Sequence, residues 1–377
     1  MFSSAQFDWS LGGPLGGPSL LETAAAVNAK VNAPNEPFIW FLQTFITLFV
    51  IMNVVLLTMA YQTWAERKVI AFCQLRYGPK RTGPSGLLQP IADAVKMLTK
   101  EFIVPQEADR FVFFIAPLLG FVPAVAAFAI VPWGDANTEG LFGDWIRPVV
   151  ANLNIGILYM LALSSVGVYG IVMAGYSSGN KYSMLGSLRS SAQVVSYELT
   201  LGLSLMGVLI QAGSLNLNDI VLQQKATIWY FIPQFVGFVC YFVSGIAETN
   251  RNPFDLPEAE SELVAGFHLE YSGMSFGLFY LAEYINMNAI AVVAATLFFG
   301  GWAAPASFLE FIPGPLWLFA KFAFFLFLYY WIRSTLPRFR YDQLMGLVWK
   351  VIFPIVLANL VITAVVKIVG IQLGWWA

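Results

Sequence analysis

The chain has 377 residues, of which 58% are hydrophobic and 11% are charged, and its formal net charge is −2. With a mean hydropathy of +0.69, this composition excludes an ordinary soluble globular protein and indicates a helical membrane protein, without the basic patch of a nucleic-acid binder. Two cysteines and one histidine do not supply the ligand sets of iron–sulfur clusters or haem, so we expect a partner to carry out any electron transfer.

Residues 1–37 are predicted to form an extramembrane N-terminal tail. They are rich in Gly, Pro, Asn and Ala, and they lack the basic region and the continuous apolar region of a signal peptide. This composition suits a loose tail or cap outside the membrane.

The rest of the chain, 38–377, is predicted to be an all-α polytopic membrane domain. Eight apolar segments are long enough, or nearly so, to cross about 30 Å of hydrocarbon at a rise of about 1.5 Å per residue. These predicted transmembrane helices are 38–64, 111–131, 153–175, 192–211, 229–247, 274–297, 316–332 and 351–366. Lys321 lies inside the seventh segment, where we expect it to pair with a carboxylate.

The distribution of Lys and Arg predicts the orientation of these helices. The odd-numbered loops and their flanks carry fifteen of these residues, against four on the opposite side. By the positive-inside rule, the odd-numbered loops face the cytoplasm, or the matrix of an organelle, and both termini lie on the other side. The long N-terminal segment favours a bacterial inner membrane over a mitochondrial inner membrane.

An amphipathic helix is predicted in the first of these loops. Apolar residues recur there at helical spacing, at Leu87, Leu88, Ile91, Val95 and Leu98. Charged residues occupy the other side, at Asp93, Lys96 and Lys100. Such a helix lies at the membrane surface, either as a lipid-facing anchor or as the floor of a pocket that admits a lipid-like molecule.

The loop between the fifth and sixth segments is strongly acidic. Its one arginine is Arg251, and its carboxylates belong to Glu248, Asp255, Glu258, Glu260, Glu262 and Glu270. Pro253 and Pro257 predict a turn and then a helix start, with Asp255 as N-cap. One interpretation is a solvated loop helix. The other is the mouth of a carboxylate path, since further acids lie in the neighbouring segments.

Glu198 and Glu283 lie inside the fourth and sixth apolar segments. Each costs about 2.5 to 3.5 kcal/mol to insert, so we expect both to face the bundle interior. Buried carboxyl groups that approach one another exchange protons near neutral pH. The hypothesis is a polar path lined by these two residues together with Glu248, Glu258, Glu260 and Glu262, and the alternative is a structural role in packing.

Seven segments resemble the H subunit of NADH-quinone oxidoreductase, respiratory complex I. They are A-E-R-K (65–68), Q-L-R-Y-G-P (74–79), G-L-L-Q-P-I-A-D-A-V-K (86–96), K-Y-S-M-L-G-S-L-R-S-S-A-Q (181–193), S-Y-E-L (196–199), A-E-T-N-R-N-P-F-D-L-P-E-A-E-S-E-L-V-A-G-F (247–267) and A-E-Y (282–284). The likeness runs from about residue 38 to the C-terminus, and its central motif is long and specific.

The resemblance implies eight transmembrane helices at the place where the membrane arm of the complex meets its peripheral arm. The inner loops would dock the subunits that hold the quinone head-group site and the terminal iron–sulfur cluster, beside small membrane subunits and lipid. Quinone, either ubiquinone or menaquinone, would be the substrate. FMN and iron–sulfur clusters would lie in partner subunits, with no cofactor in this chain and no nucleic acid among its partners.

The resemblance also implies residue roles. The quinone entrance and its junction with other subunits would include Glu66, Arg67, Arg76, Asp93 and Lys96. The acidic funnel and its continuation into the membrane would include Glu198, Glu248, Arg251, Asp255, Glu258, Glu260, Glu262, Glu270 and Glu283. The implied activity couples quinone reduction to proton translocation, with no catalytic residue or metal ligand in this chain.

Two other functions stay open, one from the residues and one from the resemblance, and the buried acids count against a third, that of a purely structural anchor. A stand-alone proton-coupled transporter would use the same intramembrane acids and would act without soluble partners. The equivalent subunit of a ferredoxin-, F420- or hydrogenase-linked complex would have a similar sequence, so the electron donor is less firmly implied than the role of the chain within its complex.

Overall fold

A computed structural model describes residues 37–135, 146–255 and 265–373, and all of its long elements there are helices. In chain order they are α1 (Pro37–Cys73), α2 (Gln89–Thr99), α3 (Arg110–Ala126), α4 (Gly156–Ser177), α5 (Lys181–Ala212), α6 (Leu217–Ala226), α7 (Phe235–Glu248), α8 (Gly273–Phe298), α9 (Gly314–Thr335), α10 (Tyr341–Leu347) and α11 (Phe353–Gln372). The predicted all-α polytopic class is confirmed. The predicted tail lies outside the described residues, except for Pro37, which begins α1.

Seven helices in the described ranges are long and apolar enough to cross a membrane, where the sequence predicts eight spans. The seventh of them is continuous over Tyr341–Gln372, through a short π-helical turn between α10 and α11. The remaining predicted span corresponds to α7, which has 14 residues. A helix of that length rises only about 21 Å, so α7 alone is shorter than the hydrocarbon layer.

Helix α8 is the centre of the bundle. It packs against α1, α2, α3, α6, α7 and α9. Most of its residues are buried, including Asn288, Thr296 and a continuous apolar run from Ile290 to Ala295. A helix that is apolar on all sides belongs inside a bundle, so any polar side chain on α8 contacts protein.

The surface helix α2 forms where the amphipathic pattern predicts it. It begins at Gln89, with Pro90 in its first turn, and ends at Thr99. The apolar side chains of Ile91, Val95 and Leu98 are exposed on the protein surface. Because they are apolar and exposed, they suit contact with lipid.

Lys321 is paired differently from the expectation. Its Nζ atom donates to the carbonyl oxygens of Gly301 and Ala303, each at 2.7 Å, and lies 5.0 Å from the ring centre of Trp229. Gly301 follows the C-terminal end of α8, where carbonyl groups lack helical partners and attract a cation. The predicted pairing of Lys321 with an intramembrane carboxylate is therefore wrong.

Two glycines hold the start of the segment 265–272 against α5. A Cβ atom added at Gly186 would lie 2.7 Å from the Cα atom of Gly266. Gly266 has a φ of +60°, which only glycine adopts readily. Small residues of this kind let backbones approach closely in membrane proteins. The chain that follows the acidic loop is thus fixed against α5.

Gly186→Ala is expected to destabilise the protein by about 1–3 kcal/mol, because the new methyl group would press on backbone atoms that have little freedom to move. The measurement is the thermal unfolding midpoint of the purified protein. Gly346→Ala is the matched control, since a Cβ atom there meets no atom within 4 Å. Equal midpoints for the two variants would contradict the proposed close contact.

Candidate functional site

A buried group of charges joins four parts of the fold. The Nε atom of Arg251, just after α7, lies 2.5 Å from Oε1 of Glu283 on α8. The Nη1 atom of the same arginine lies 3.4 Å from Oε1 of Glu66 on α1, and Arg333 on α9 also contacts Glu66. Tyr284 donates a hydrogen bond of 2.6 Å from its hydroxyl to Oε2 of Glu66. We refer to these five residues as the ionic cluster.

Most of the ionic cluster is nearly closed to solvent, and Arg333 at its edge is 32% exposed. The side chains of Glu66 and Arg251 are 4% and 7% exposed, and that of Glu283 is 17% exposed. The guanidinium of Arg251 also lies over the ring of Tyr284, 4.2 Å from its centre. Two carboxylates and two guanidinium groups compensate one another, which offsets the high cost of burying each charge.

A lateral cavity of about 480 Å³ lies between α1, α2 and α8. Its lining is mostly apolar, with Leu56, Met59 and Met97 among the contributors, and its polar lining residues are Thr63, Arg67, Asp93, Lys96, Tyr280 and Tyr284. The Nη1 atom of Arg67 lies 2.7 Å from Oδ2 of Asp93, and this ion pair connects α1 to α2. The volume lies in the range of small-molecule pockets, which are about 300–1,000 Å³.

Two smaller cavities lie deeper in the bundle. The polar cavity, of about 70 Å³, has Glu248, Asn250, His268, Tyr280 and Glu283 in its wall. The deep cavity, of about 40 Å³, is lined mainly by apolar residues of α3, α4, α5 and α8. Ser164, Glu248 and Asn286 line both cavities. A polar cavity of this volume has room for several water molecules.

Two further carboxylates stand close to these cavities. The Oε2 atom of Glu248 is buried and has no hydrogen-bond partner among the described residues, and the side chain lines both cavities. Glu198 on α5 accepts hydrogen bonds from the hydroxyl groups of Ser164, at 3.4 Å, and Ser165. Ser164, which contacts Glu198, lines both cavities together with Glu248.

The lateral cavity and the polar cavity share a wall. Tyr280 lines both of them. Tyr284 lines the lateral cavity and binds Glu66, which pairs with Arg251, and Arg251 pairs with Glu283 in the wall of the polar cavity. A change on the lateral side can therefore reach the polar side through direct contacts.

The structure brings many of the sequence-predicted residues together. Arg67, Asp93 and Lys96, which the resemblance assigns to a quinone entrance, all line the lateral cavity. Glu66, grouped with them from the sequence, lies instead in the ionic cluster with Arg251 and Glu283. Two predicted sets of residues thus meet at Arg251.

Three other predicted residues lie outside the linings of the lateral, polar and deep cavities. Arg76 is exposed and donates from Nε to Gln74 at 2.6 Å. Asp255 accepts a hydrogen bond of 3.1 Å from Nη2 of Arg338. Glu270 accepts one of 2.7 Å from Asn180, the residue that caps α5. Glu258, Glu260 and Glu262, with the helix start predicted after Asp255, lie outside the described residues.

Sequence reasoning misses four residues of the site. In the sequence Arg333 is one of the positive charges of a loop, although in the structure it lies in the last turn of the apolar helix α9. Tyr284 is notable in the sequence only because it follows Glu283. His268 has no partner for a nucleophilic triad, and the sequence suggests no other role for it. Asn286 carries one signal, a polar amide in an apolar segment three residues after Glu283.

His268 forms one edge of the polar cavity. Its ring is buried and makes edge contacts with Phe267, Phe276 and Tyr280. Burial lowers the pKa of His268 to about 4, and the negative charge of Asp255 acts in the opposite direction. The imidazole is therefore neutral at pH 7. Within the described residues, no group of three His, Cys, Asp or Glu side chains is arranged to hold a metal ion.

Comparison with known proteins gives consistent matches over most of the chain. The sequence profile of the NADH dehydrogenase family matches residues 46–364. The NADH-quinone oxidoreductase H subunit of Thermomicrobium roseum is 55% identical over 332 residues, which cover 86% of this chain and 95% of the relative. The second H subunit of Geobacter metallireducens is 49% identical over 339 residues, covering 88% and 97%. The H subunit of Rhodospirillum centenum is 51% identical over 319 residues, covering 84% and 91%.

Arg251→Gln is expected to destabilise the protein by about 3–5 kcal/mol, because it leaves buried carboxylates without their shared cation. The thermal unfolding midpoint of the purified protein measures the effect. Lys225→Gln is the control, since both partners of its ion pair with Glu310 are exposed, at 46% and 53%, and such a pair should contribute at most about 1 kcal/mol. A smaller loss for Arg251→Gln than for Lys225→Gln would refute the importance of the ionic cluster.

A second prediction concerns pH. The pKa of His268 is about 4 in the folded protein, against about 6.5 for a histidine in the unfolded chain. The unfolded chain therefore binds the proton more readily, and the free energy of unfolding decreases as the pH falls below about 6.5. The loss from this residue between pH 7 and pH 5 is about 2 kcal/mol. His268→Gln should lose that much less stability over the same interval. Identical pH profiles of the unfolding midpoint would contradict the assignment.

Proposed function

This chain belongs to the family of the H subunit of NADH-quinone oxidoreductase, and we propose that it forms the entrance for quinone and the first part of the proton path of that complex. It is a multi-pass protein of the inner membrane and a subunit of an oxidoreductase. The observation that carries the proposal is the ionic cluster, which connects the lateral cavity to the polar cavity.

The lateral cavity suits the entry of a quinone. A quinone has a long apolar tail and a compact polar head, so its route needs apolar walls with a few polar groups at one end. Helices α1, α2 and α8 supply such walls, and exposed apolar residues of α2 adjoin the opening. Arg67 and Asp93, which hold α2 against α1, would then set the width of the entrance.

The ionic cluster would couple quinone binding to proton uptake because its central arginine can pair with either of two carboxylates. Arg251 is shared between Glu66 and Glu283. A quinone or its reduced form beside Tyr284 would alter the hydrogen bond from that tyrosine to Glu66. This change would in turn alter how strongly Glu66 attracts Arg251. When Arg251 moves toward Glu66, Glu283 loses its cation and gains affinity for a proton. This is a two-state element that both cavities can bias.

From Glu283 the proposed path continues along buried carboxylates. Glu248 shares the polar cavity with Glu283, and Glu198 lies beyond it on α5. We assign Glu258, Glu260 and Glu262, together with Asp255, to the side of the path that faces the partner subunits. Glu270 would support the loop through Asn180.

The partners follow from the same proposal. The inner loops would dock the subunits of the peripheral arm, which carry FMN and iron–sulfur clusters, and neighbouring small membrane subunits would continue the proton path. The termini would lie on the non-cytoplasmic side. Membership of the family favours this role over a stand-alone transporter, because the relatives are subunits of a larger enzyme.

Glu283→Gln and Glu198→Gln should each slow coupled quinone reduction and proton pumping by at least about tenfold, because each removes a proton-carrying group, while the complex still assembles. The measurement is NADH-driven quinone reduction and vesicle acidification in membranes, normalised to the amount of this chain in the assembled complex. Glu310→Gln is the control, because Glu310 is half-exposed and pairs with Lys225 away from both cavities. Full activity and full pumping in both path variants would refute the proposal.

A further inference from the structure

Ser164 on α4 stands where the two inner cavities and a carboxylate meet. It lines both the polar cavity and the deep cavity, as Glu248 does. Its hydroxyl oxygen also lies 3.4 Å from Oε1 of Glu198. Glu198 lies outside the described lining of both cavities. Ser164 is therefore a cavity-lining residue whose hydroxyl contacts this carboxylate.

The hydroxyl group of Ser164 has more than one partner available. It donates to the carbonyl oxygen of Leu161, one turn earlier in α4, at 2.9 Å, and it is also within reach of Glu198. A serine hydroxyl has one hydrogen and two lone pairs. It can therefore donate to Glu198 while accepting from a group in the cavity, and it can rotate back to Leu161 afterwards.

Glu248 supplies the group on the cavity side. Its Oε2 atom is buried, has no hydrogen-bond partner among the described residues, and belongs to a side chain that lines the same two cavities as Ser164. A buried carboxylate oxygen without a partner is costly, so a water molecule in the cavity would bind there. Such a water would bring the proton of Glu248 to the hydroxyl of Ser164.

We propose that Ser164 is a hydroxyl relay that passes protons between the polar cavity and Glu198, an inference that rests on the carboxylate path proposed above. The oxygen of Ser164 accepts a proton from the Glu248 side as its own proton passes to the carboxylate of Glu198. One O–H bond forms at the serine and one breaks. The serine stays neutral, and no electrons are transferred. Rotation of the new hydroxyl toward Leu161 resets the relay.

Ser165 makes the relay testable. Its hydroxyl can also donate either to Glu198 or to the carbonyl oxygen of Leu161, but Ser165 lies outside the described lining of both cavities. In Ser164→Ala, Ser165 still holds the carboxylate of Glu198 in place. If proton transfer is lost in that variant, the cause is the loss of the Ser164 hydroxyl between the cavities and Glu198, because the carboxylate itself is not displaced.

Ser164→Ala should slow NADH-driven acidification of membrane vesicles containing the whole complex by at least about tenfold, per amount of this chain. Ser164→Thr keeps the hydroxyl and should restore most of the rate. Ser204→Ala is the matched control, because Ser204 is also buried in a membrane helix and donates to a carbonyl three residues earlier, that of Leu201, at 2.6 Å. It should acidify at the wild-type rate.

Wild-type acidification by Ser164→Ala would overturn the relay, and so would a Ser164→Thr variant as slow as Ser164→Ala. The same measurement on Glu248→Gln distinguishes a failure of the Ser164 relay from a failure of the carboxylate path. If Glu248→Gln is slow while Ser164→Ala is not, the relay alone fails. If both variants acidify at the full rate, the carboxylate path fails with it.

Discussion

The interaction on which the site depends is the sharing of one buried guanidinium, Arg251, by two carboxylates, Glu66 and Glu283. In a region of low dielectric, each of these charges would cost several kcal/mol if it were left alone. The pairing therefore fixes the position of α1, of the chain after α7 and of α8 relative to one another, and Arg333 adds α9. The lateral cavity and the polar cavity have a common wall because these elements meet there.

The same sharing makes the cluster suitable for coupling. One cation between two acids has two arrangements of similar energy, and small changes at either acid can select between them. Tyr284 contacts Glu66 from the lateral side, and Glu283 faces the polar side. A purely apolar interface would hold the helices equally well, but it would have no charge to move. We infer that these buried charges are kept, despite the free energy that their burial costs, because they make this switching possible.

Much of the fold was accessible from the sequence, because apolar segments of membrane length leave few alternatives to a helix bundle. Because Glu198 and Glu283 lie inside such segments, the sequence predicts that both side chains contact protein. In the structure Glu283 pairs with Arg251, and Glu198 accepts from serine hydroxyls. Their partners were harder to predict. Glu66 and Arg333 lie 267 positions apart in the chain and meet only through the packing of α1 against α9.

The wrong expectation for Lys321 has a related cause. A charge pair is the simplest partner for a buried ammonium group, but the unpaired carbonyls beyond the end of α8 provide another, and the sequence does not reveal where a helix end points. The contacts of Glu198 with Ser164 and Ser165 depend in the same way on the register between α4 and α5. Periodicity predicts a helix face but does not fix such a register.

We infer that quinone at the lateral cavity changes the protonation of Glu283. A quinone-reduction difference infrared spectrum of the assembled complex tests it most directly, because a carboxyl group that gains or loses a proton changes its C=O absorption. The expected result is a carboxyl signal that is present in the wild type and in Glu310→Gln and is absent from Glu283→Gln. An unchanged carboxyl region in Glu283→Gln would contradict a change in the protonation of Glu283.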